Sequence, residues 1–370
     1  MKGLSIIHNT LPGGVQRVGA LETSELSRMG YDMTLISLVK TQEWGLFKML
    51  DISPVYLSRN EIIGRLFSGL WINKFSKNSF DFIIAHNNTG CQVASKIKQK
   101  NKDIKMIFYL HDPLAYPIAG SICSVIFRLL PKILQKMESK HIETSDIVFV
   151  NSKVSLNKLL SNHKENFDKI YNKITILYPT LNVPLKKQQL TQNKQNYLLI
   201  VGRIDHEAFY NLAKIIQLID IPLVIAGYGH PYNPNFRKIL NIFKLLQHKG
   251  KDITFVFSPS DEELLNLYKN ASLFVYPGHE NFNMSALEAM SAGCPILVAD
   301  TSGVCELLPP NLREYLCLPK KDVDIWTDRI KEIVHGDNSH SLGTALWRIT
   351  QRYNLNTHIQ NLVKVLEGLL

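Results

Sequence analysis

The 370-residue sequence predicts an α/β protein built as two doubly wound, parallel-sheet domains in series. Three features carry that prediction. Short apolar runs of strand length alternate with helical stretches along the whole chain, the pattern of parallel sheets with helical crossovers. The chain is too long for one ordinary core. A polar stretch with two prolines, residues 179–196, interrupts the alternation, which then begins again.

In chain order, the first half offers strands near Leu4–His8, Asp32–Leu38, Phe82–Ala85, Lys105–Leu110, Ile147–Val150 and Ile174–Leu177. Helical stretches such as Val15–Met29 and Gln92–Lys100 lie between them. Residues 1–180 are thus read as a first domain and 181–196 as a linker. The second domain, 197–348, restarts with Tyr197–Val201, Leu223–Ala226, Ile253–Phe257, Leu273–Tyr276, Ile296–Ala299 and Tyr315–Leu318. A last helical segment, Ile349–Leu370, ends the chain. No repeat of 20–50 residues is evident.

Composition narrows the class. Hydrophobic residues are 45% and charged residues 20%, as in a soluble globular protein. No apolar run reaches the ~18–20 residues of a membrane span. Leu4–Ile7 is a strand-length run and not a secretory signal, so a cytoplasmic protein is expected. The five cysteines, Cys91, Cys123, Cys294, Cys305 and Cys317, are widely spaced and read as reduced thiols, with neither zinc site nor disulfide. The net charge of +10 divides as +9 over residues 1–180 and +1 over 181–370. A basic half suits an anionic membrane or a phosphorylated acceptor. Nucleic acid is not expected as a partner, because no zinc-finger spacing or aromatic-basic RNA signature accompanies the charge.

The run 274–298 is the most informative. Leu273–Tyr276 is a strand ended by Pro277-Gly278, Met284–Ala292 has helical spacing, and Ile296–Ala299 is the next strand. In such crossovers ligands bind beyond the carboxyl ends of the strands, beside the helix N-terminus. Glu280 falls in that loop and Glu288 on the helix. Glu288 has two readings, since Ser285-Ala286-Leu287-Glu288 also fits a capping box.

Other strand ends carry candidates. Gly202-Arg203 ends the first strand of the second half, where a planar guanidinium fork suits a diphosphate or is simply a surface arginine. Gly227-Tyr228-Gly229 ends the next strand and either admits a flat ligand or is a simple turn. Leu11-Pro12-Gly13-Gly14 opens the first helix, but Ala20 and Leu21 exclude a P-loop. His111-Asp112 follows the strand Lys105–Leu110, where His111 is either a cleft residue or a structural histidine. Asp322-Val323-Asp324 and Ser260-Asp261-Glu262-Glu263 read as helix caps, not metal ligands. Ser121–Lys140 is a basic amphipathic helix, either core-facing or lying on a membrane surface, which Pro131 should kink.

Taken in order, these motifs resemble the retaining glycosyltransferases of family 4, with the two-domain GT-B fold. The matching pieces are Gly13-Gly14 with Val15 and Arg17, His111-Asp112, Asn151-Ser152, Tyr178-Pro179, Val201-Gly202-Arg203, Ala226-Gly227-Tyr228-Gly229, the Glu280 and Glu288 pair, and Ser302-Gly303 with Glu306. The resemblance implies two Rossmann-like domains facing a central cleft, a nucleotide-diphosphate sugar as donor, and no metal. It implies that Glu288 binds the ribose hydroxyls and Glu280 the donor sugar. The amides of Asn281, Phe282 and Asn283, before Met284, would surround the sugar and diphosphate. Arg203 would hold the diphosphate, with Gly202, Gly227 and Tyr228 alongside. Gly14 would pack against the diphosphate from the first domain, and His111 would sit near the transferred sugar. A glycan acceptor, lipid-linked, is expected on the basic first domain, and the final helical segment is expected to cross back to that domain.

Two departures stand out. The family pattern Gly-Arg-x-x-x-Glu-Lys reads here Gly202-Arg203-Ile204-Asp205-His206-Glu207-Ala208, so alanine replaces the diphosphate lysine. Lys214 lies nearly two turns away and cannot substitute, leaving His206, Arg17 or another cation to compensate. Glu-Gly-Phe-Gly reads Glu280-Asn281-Phe282-Asn283. A non-catalytic sugar-nucleotide-binding homologue and a nucleotide-sugar epimerase on the same fold are the alternatives to a transferase.

Overall fold

A computed structural model describes residues 1–41, 44–59, 80–113, 124–164, 170–181, 194–229, 232–336 and 339–370, with the helical backbone alone for 124–131. The chain divides into two compact units, Met1–Thr180 with Leu355–Leu370, and Leu181–Asn354.

The first unit holds a seven-stranded sheet in the order β3-β2-β1-β4-β5-β6-β7. Its strands are β1 (Lys2–Ile7), β2 (Asp32–Val39), β3 (Val55–Ser58), β4 (Phe82–His86), β5 (Lys105–Leu110), β6 (Ile147–Val150) and β7 (Ile174–Ile176). Every pairing is parallel. Parallel strands covered on both faces read as unbroken apolar runs, and period-two alternation assigns each side chain to one face. Ile83 and Ala85 of β4 join Met106, Phe108 and Leu110 of β5 in one core. Phe82 and Ile84 join Ile107 and Tyr109 in the other. The second core is closed by Ile359, Leu362, Val363 and Leu366, one stripe of the C-terminal helix Leu355–Leu369 at i, i+3, i+4, i+7 spacing.

The second unit holds a six-stranded parallel sheet, order β10-β9-β8-β11-β12-β13. Its strands are β8 (Gln195–Arg203), β9 (Leu223–Tyr228), β10 (Ile253–Phe257), β11 (Ala271–Tyr276), β12 (Ile296–Ala299) and β13 (Cys317–Leu318).

Several expectations need correction. Tyr315 and Leu316 belong to a helix, Pro310–Leu316, and only Cys317–Leu318 pair as strand. Pro310 starts that helix, where its fixed φ fits and its missing N–H costs nothing. The final helical segment does not run from Ile349. One helix ends at Thr350, a 3-10 turn spans Gln351–Tyr353, and the last helix begins at Leu355. Residues 182–193 of the expected linker lie outside the described residues, and β8 already starts at Gln195.

The thiols are not all free. Cys305 and Cys317 form a disulfide across 12 residues, tying the 3-10 turn Gly303–Leu307 to β13. Cys91 and Cys294 are buried free thiols.

The basic helix spans Ser124–Thr144. In its described part Glu138, His141 and Ile142 face inward, whereas Ile133, expected on the apolar stripe, is 53% exposed. Residues 121–123, and the side chains to Pro131, lie outside the described residues.

Candidate functional site

In the second unit, β8, β9 and β11 run parallel, so Arg203, Tyr228 and Tyr276 stand at their carboxyl ends. Arg203 and Tyr228 are register partners, as are Gly202 and Gly227. Gly227 has φ +148°, and a Cβ there would lie 1.9 Å from the Gly202 carbonyl oxygen. Glycine is therefore required where the two strand ends meet.

Arg203 projects outward with its side chain 60% exposed, and its Nε donates to Asp205 Oδ1 at 3.1 Å. Asp205 is held in turn by Asn233 Nδ2, 2.6 Å from its Oδ2. Tyr228 is half-exposed. Burial about its hydroxyl raises its pKa, Arg203 opposes this, and Asp205 and Glu280 add to it.

Glu280 is fixed from two sides. The Tyr276 hydroxyl donates to Glu280 Oε1 at 2.6 Å, and burial, reinforced by Glu280, pushes the Tyr276 pKa well up. Along the backbone, Glu280 forms an isolated parallel bridge with Ser302. Gly303 N–H donates to Glu280 O at 3.1 Å and Val304 N–H to Phe282 O at 2.7 Å. The segment 302–304 thus braces the loop 280–282, and Phe282 is buried beneath it.

Asn283 then starts the helix Met284–Ser291 with φ +77°, and its Oδ1 accepts the Ala286 N–H at 2.9 Å. Asparagine tolerates this left-handed turn and caps the helix. The capping-box reading of Glu288 is therefore wrong: Glu288 Oε2 accepts from the Tyr268 hydroxyl at 2.9 Å instead. The Met284 and Ser285 amides have no acceptor among the described residues, and Asn283 Nδ2 is buried without a partner. Open amides at a helix N-terminus suit an anion.

Ala208 is wholly buried near the start of the helix Glu207–Ile216. The backbone at Gly278 lies against it, so that a Cβ at 278 would be 2.7 Å from the Ala208 Cβ. His206 caps the same helix, its Nδ1 accepting the Ala208 N–H at 3.2 Å. The ring proton therefore lies on Nε2, 3.8 Å from Glu280 Oε1. Glu207 accepts from the His279 N–H and from Lys320 Nζ, and the Lys320 hydrogen bond above all lowers its pKa.

Gly14 and His111 belong to the first unit. Gly14 opens the helix Gly14–Arg28 after the N-cap Gly13. His111 follows β5, almost wholly buried. Its backbone N–H donates to Asn87 Oδ1 at 2.9 Å and its carbonyl accepts from Asn151 Nδ2 at 2.9 Å. Its ring stacks on Tyr109 at 4.0 Å and meets His86 at 3.1 Å. Burial, then His86 and His358, lower its pKa well below the ordinary imidazole value.

The second unit thus gathers Arg203, Tyr228 and Glu280 at the sheet edge, with Glu288 on the adjoining helix. Asp205, Tyr268 and Tyr276 are contributors that sequence reading missed. Asp205 stood two residues past the arginine, and Tyr276 at the end of a read strand; Tyr268 gave no signal.

The family model for "Glycosyl transferases group 1" matches residues 184–343. That stretch, most of the second unit, is similar to the group 1 glycosyltransferases. The match contains Arg203, Glu280 and Glu288, while Gly14 and His111 lie outside it. The human alpha-1,3/1,6-mannosyltransferase ALG2 is 24% identical over 278 residues, 69% of this chain and 65% of that protein. Its Dictyostelium discoideum counterpart is 24% identical over 350 residues, 83% of this chain and 80% of that one. The chain thus spans about two thirds of the human relative's length. Among solved structures, Anabaena HepE in complex with UDP and glucose superposes with a TM-score of 0.77 at 13% identity, covering 100% of both chains. Sucrose-phosphate synthase from Thermosynechococcus elongatus gives 0.76 at 16%, covering 100% of this chain and 98% of that one. The fold of the chain is GT-B.

Proposed function

We propose that the chain is a retaining, family 4 type glycosyltransferase that moves a hexose from a nucleotide-diphosphate sugar to a lipid-linked glycan acceptor. The observation that carries this reading is the open helix start at Met284–Ser285, with one carboxylate braced in the loop before it and another on its own helix. In this reading the pyrophosphate rests on the Met284 and Ser285 amides and on Arg203, Glu288 accepts from the ribose hydroxyls, and Glu280 accepts from the sugar. Charge on the departing diphosphate is met by the guanidinium and the helix end, so the reading requires no metal ion. The mannosyltransferase relatives make mannose the first hexose to try.

The acceptor is assigned to the basic first half, and the exposed Lys132, Ile133, Lys136 and Lys140 to an anionic membrane face, on its cytoplasmic side. Sedimentation with anionic but not neutral vesicles at low salt supports that assignment; equal partitioning removes it.

A second reading, a sugar-nucleotide-binding homologue without turnover, is favoured by Ala208, which leaves no cation at a fully buried position. One experiment separates the two. Labelled nucleotide hexoses are incubated with membrane glycolipid acceptors, and the new anomeric linkage is read by NMR. Transfer with the donor's anomeric configuration kept supports the first reading. An inverted linkage contradicts retention. Tight nucleotide binding with no transfer supports the second reading. Epimerised sugar released without acceptor would instead show an epimerase.

A further inference from the structure

Two polar atoms buried in the first unit face each other without a hydrogen-bond partner: Glu22 Oε2 and His86 Nε2, 3.5 Å apart. Neither belongs to the site read from the sequence. Glu22 lies on the helix Gly14–Arg28 and His86 ends β4.

Their protonation follows from counting donors. His358, on the C-terminal helix, places Nδ1 2.8 Å from the Tyr178 carbonyl oxygen and Nε2 2.8 Å from Glu22 Oε1. A carbonyl only accepts, so His358 Nδ1 carries a proton. One more proton must lie between His358 Nε2 and Glu22 Oε1, because two acceptors cannot bond each other. Whether His358 Nε2 or Glu22 Oε1 holds it, Glu22 Oε2 is an acceptor when this is the only proton the pair shares.

That acceptor faces His86 Nε2. An unprotonated Nε2 would set two lone pairs against each other in a dry interior. His86 therefore keeps its proton on Nε2, and its Nδ1 carries a lone pair. His86 Nδ1 is 3.1 Å from His111 Nε2, so His111 Nε2 is the donor in that bond. Burial holds both rings toward the neutral form, His358 adding in each case, His86 acting on His111, and Glu22 opposing at His86. A neutral His111 with its proton on Nε2 has a bare Nδ1, which no described residue occupies. The titratable groups packed around this chain are Glu22, His86, His358 and Tyr109, whose hydroxyl donates to Leu177 O.

We propose that Glu22 and His86, braced by His358, are positioning residues that fix His111 as its Nε2–H tautomer, so that its Nδ1 is presented as a hydrogen-bond acceptor to a ligand hydroxyl. The effect on turnover given below rests on the function proposed above; the tautomer does not. A corollary is that His111 supplies no positive charge in place of the cation absent at Ala208.

Two-bond 1H–15N correlation spectra of imidazole-labelled protein at neutral pH test this directly, with His111 and His86 assigned by their loss in His111→Asn and His86→Asn. Both rings are expected as Nε2–H tautomers. Glu22→Gln can turn its amide toward His358 and keep an oxygen facing His86, so it should retain both tautomers and most of kcat. Glu22→Leu removes the acceptor and should mix the tautomers and lower kcat roughly 10–100-fold with nucleotide affinity unchanged. A wild-type His111 seen as Nδ1–H or as imidazolium overturns the proposal. So does an unaltered tautomer in a folded Glu22→Leu variant. If that variant does not fold, the wild-type and Glu22→Gln spectra still decide. Expected tautomers without turnover of any nucleotide sugar would sink the functional reading and leave the relay standing.

Discussion

Arg203→Ala should lower kcat for sugar transfer by roughly 10²–10³-fold, the usual cost of losing a positioned donor at a developing negative charge. The fold should barely respond. Arg203 is 60% exposed, and its ion pair is with Asp205, two residues along the chain. A pair so exposed contributes about 0–1 kcal/mol at most, less in salt. The melting temperature should therefore stay within about 2 °C of wild type. Arg203→Lys should restore only part of the loss, because an ammonium keeps the charge but not the two-pronged geometry. The effect should be larger here than in a protein with a second cation at position 208. Ala208 is buried under Gly278, and the His206 Nδ1 is already occupied by the Ala208 N–H. Steady-state kinetics with melting curves on the same preparations checks this. An Arg203→Ala enzyme with wild-type kcat would remove the arginine from the chemistry.

Gly227→Ala should fail for a different reason, in the fold itself. The new methyl would sit 1.9 Å from the Gly202 carbonyl oxygen, at a φ of +148° that side chains rarely adopt. Neither obstacle yields cheaply, because the contact is backbone and the strand pair is central. Strain and overpacking together should cost about 2–4 kcal/mol, lowering the melting temperature of the second unit by about 5–15 °C. Any relief parts β8 from β9 where Arg203 and Tyr228 are register partners, so nucleotide affinity should fall as well. Thermal melts and calorimetric titration with a nucleoside diphosphate read both effects. Unchanged stability would mean that the two strand ends are less tightly joined than the register indicates.

The sequence announced its buried strands well, because a parallel strand covered on both faces has no polar positions to confuse the pattern. Lys105–Leu110, Ile147–Val150, Ile253–Phe257 and Ile296–Ala299 begin and end where their apolar runs do. β3 escaped notice: it is a four-residue edge strand in which only Leu57 is buried. The Cys305–Cys317 bond was equally hidden, since spacing in sequence does not report which thiols a turn and a distant strand bring together. At the site, residues near the strand ends were readable from glycine and charge signals. The brace around Glu280 was not, because Ser302–Val304 reaches it only through backbone bonds. The relay was least legible of all: Glu22 and His358 are separated by 336 positions, and neither carries a local motif.

The place of the pyrophosphate in the second unit decides whether Arg203 and the open helix start serve the chemistry. A crystal structure with a nucleoside diphosphate bound measures this directly. Phosphate oxygens are expected within hydrogen-bond distance of the Met284 and Ser285 amides and of the Arg203 guanidinium, with the ribose hydroxyls on Glu288. A nucleotide held elsewhere, with those amides and Arg203 untouched, would contradict that placement.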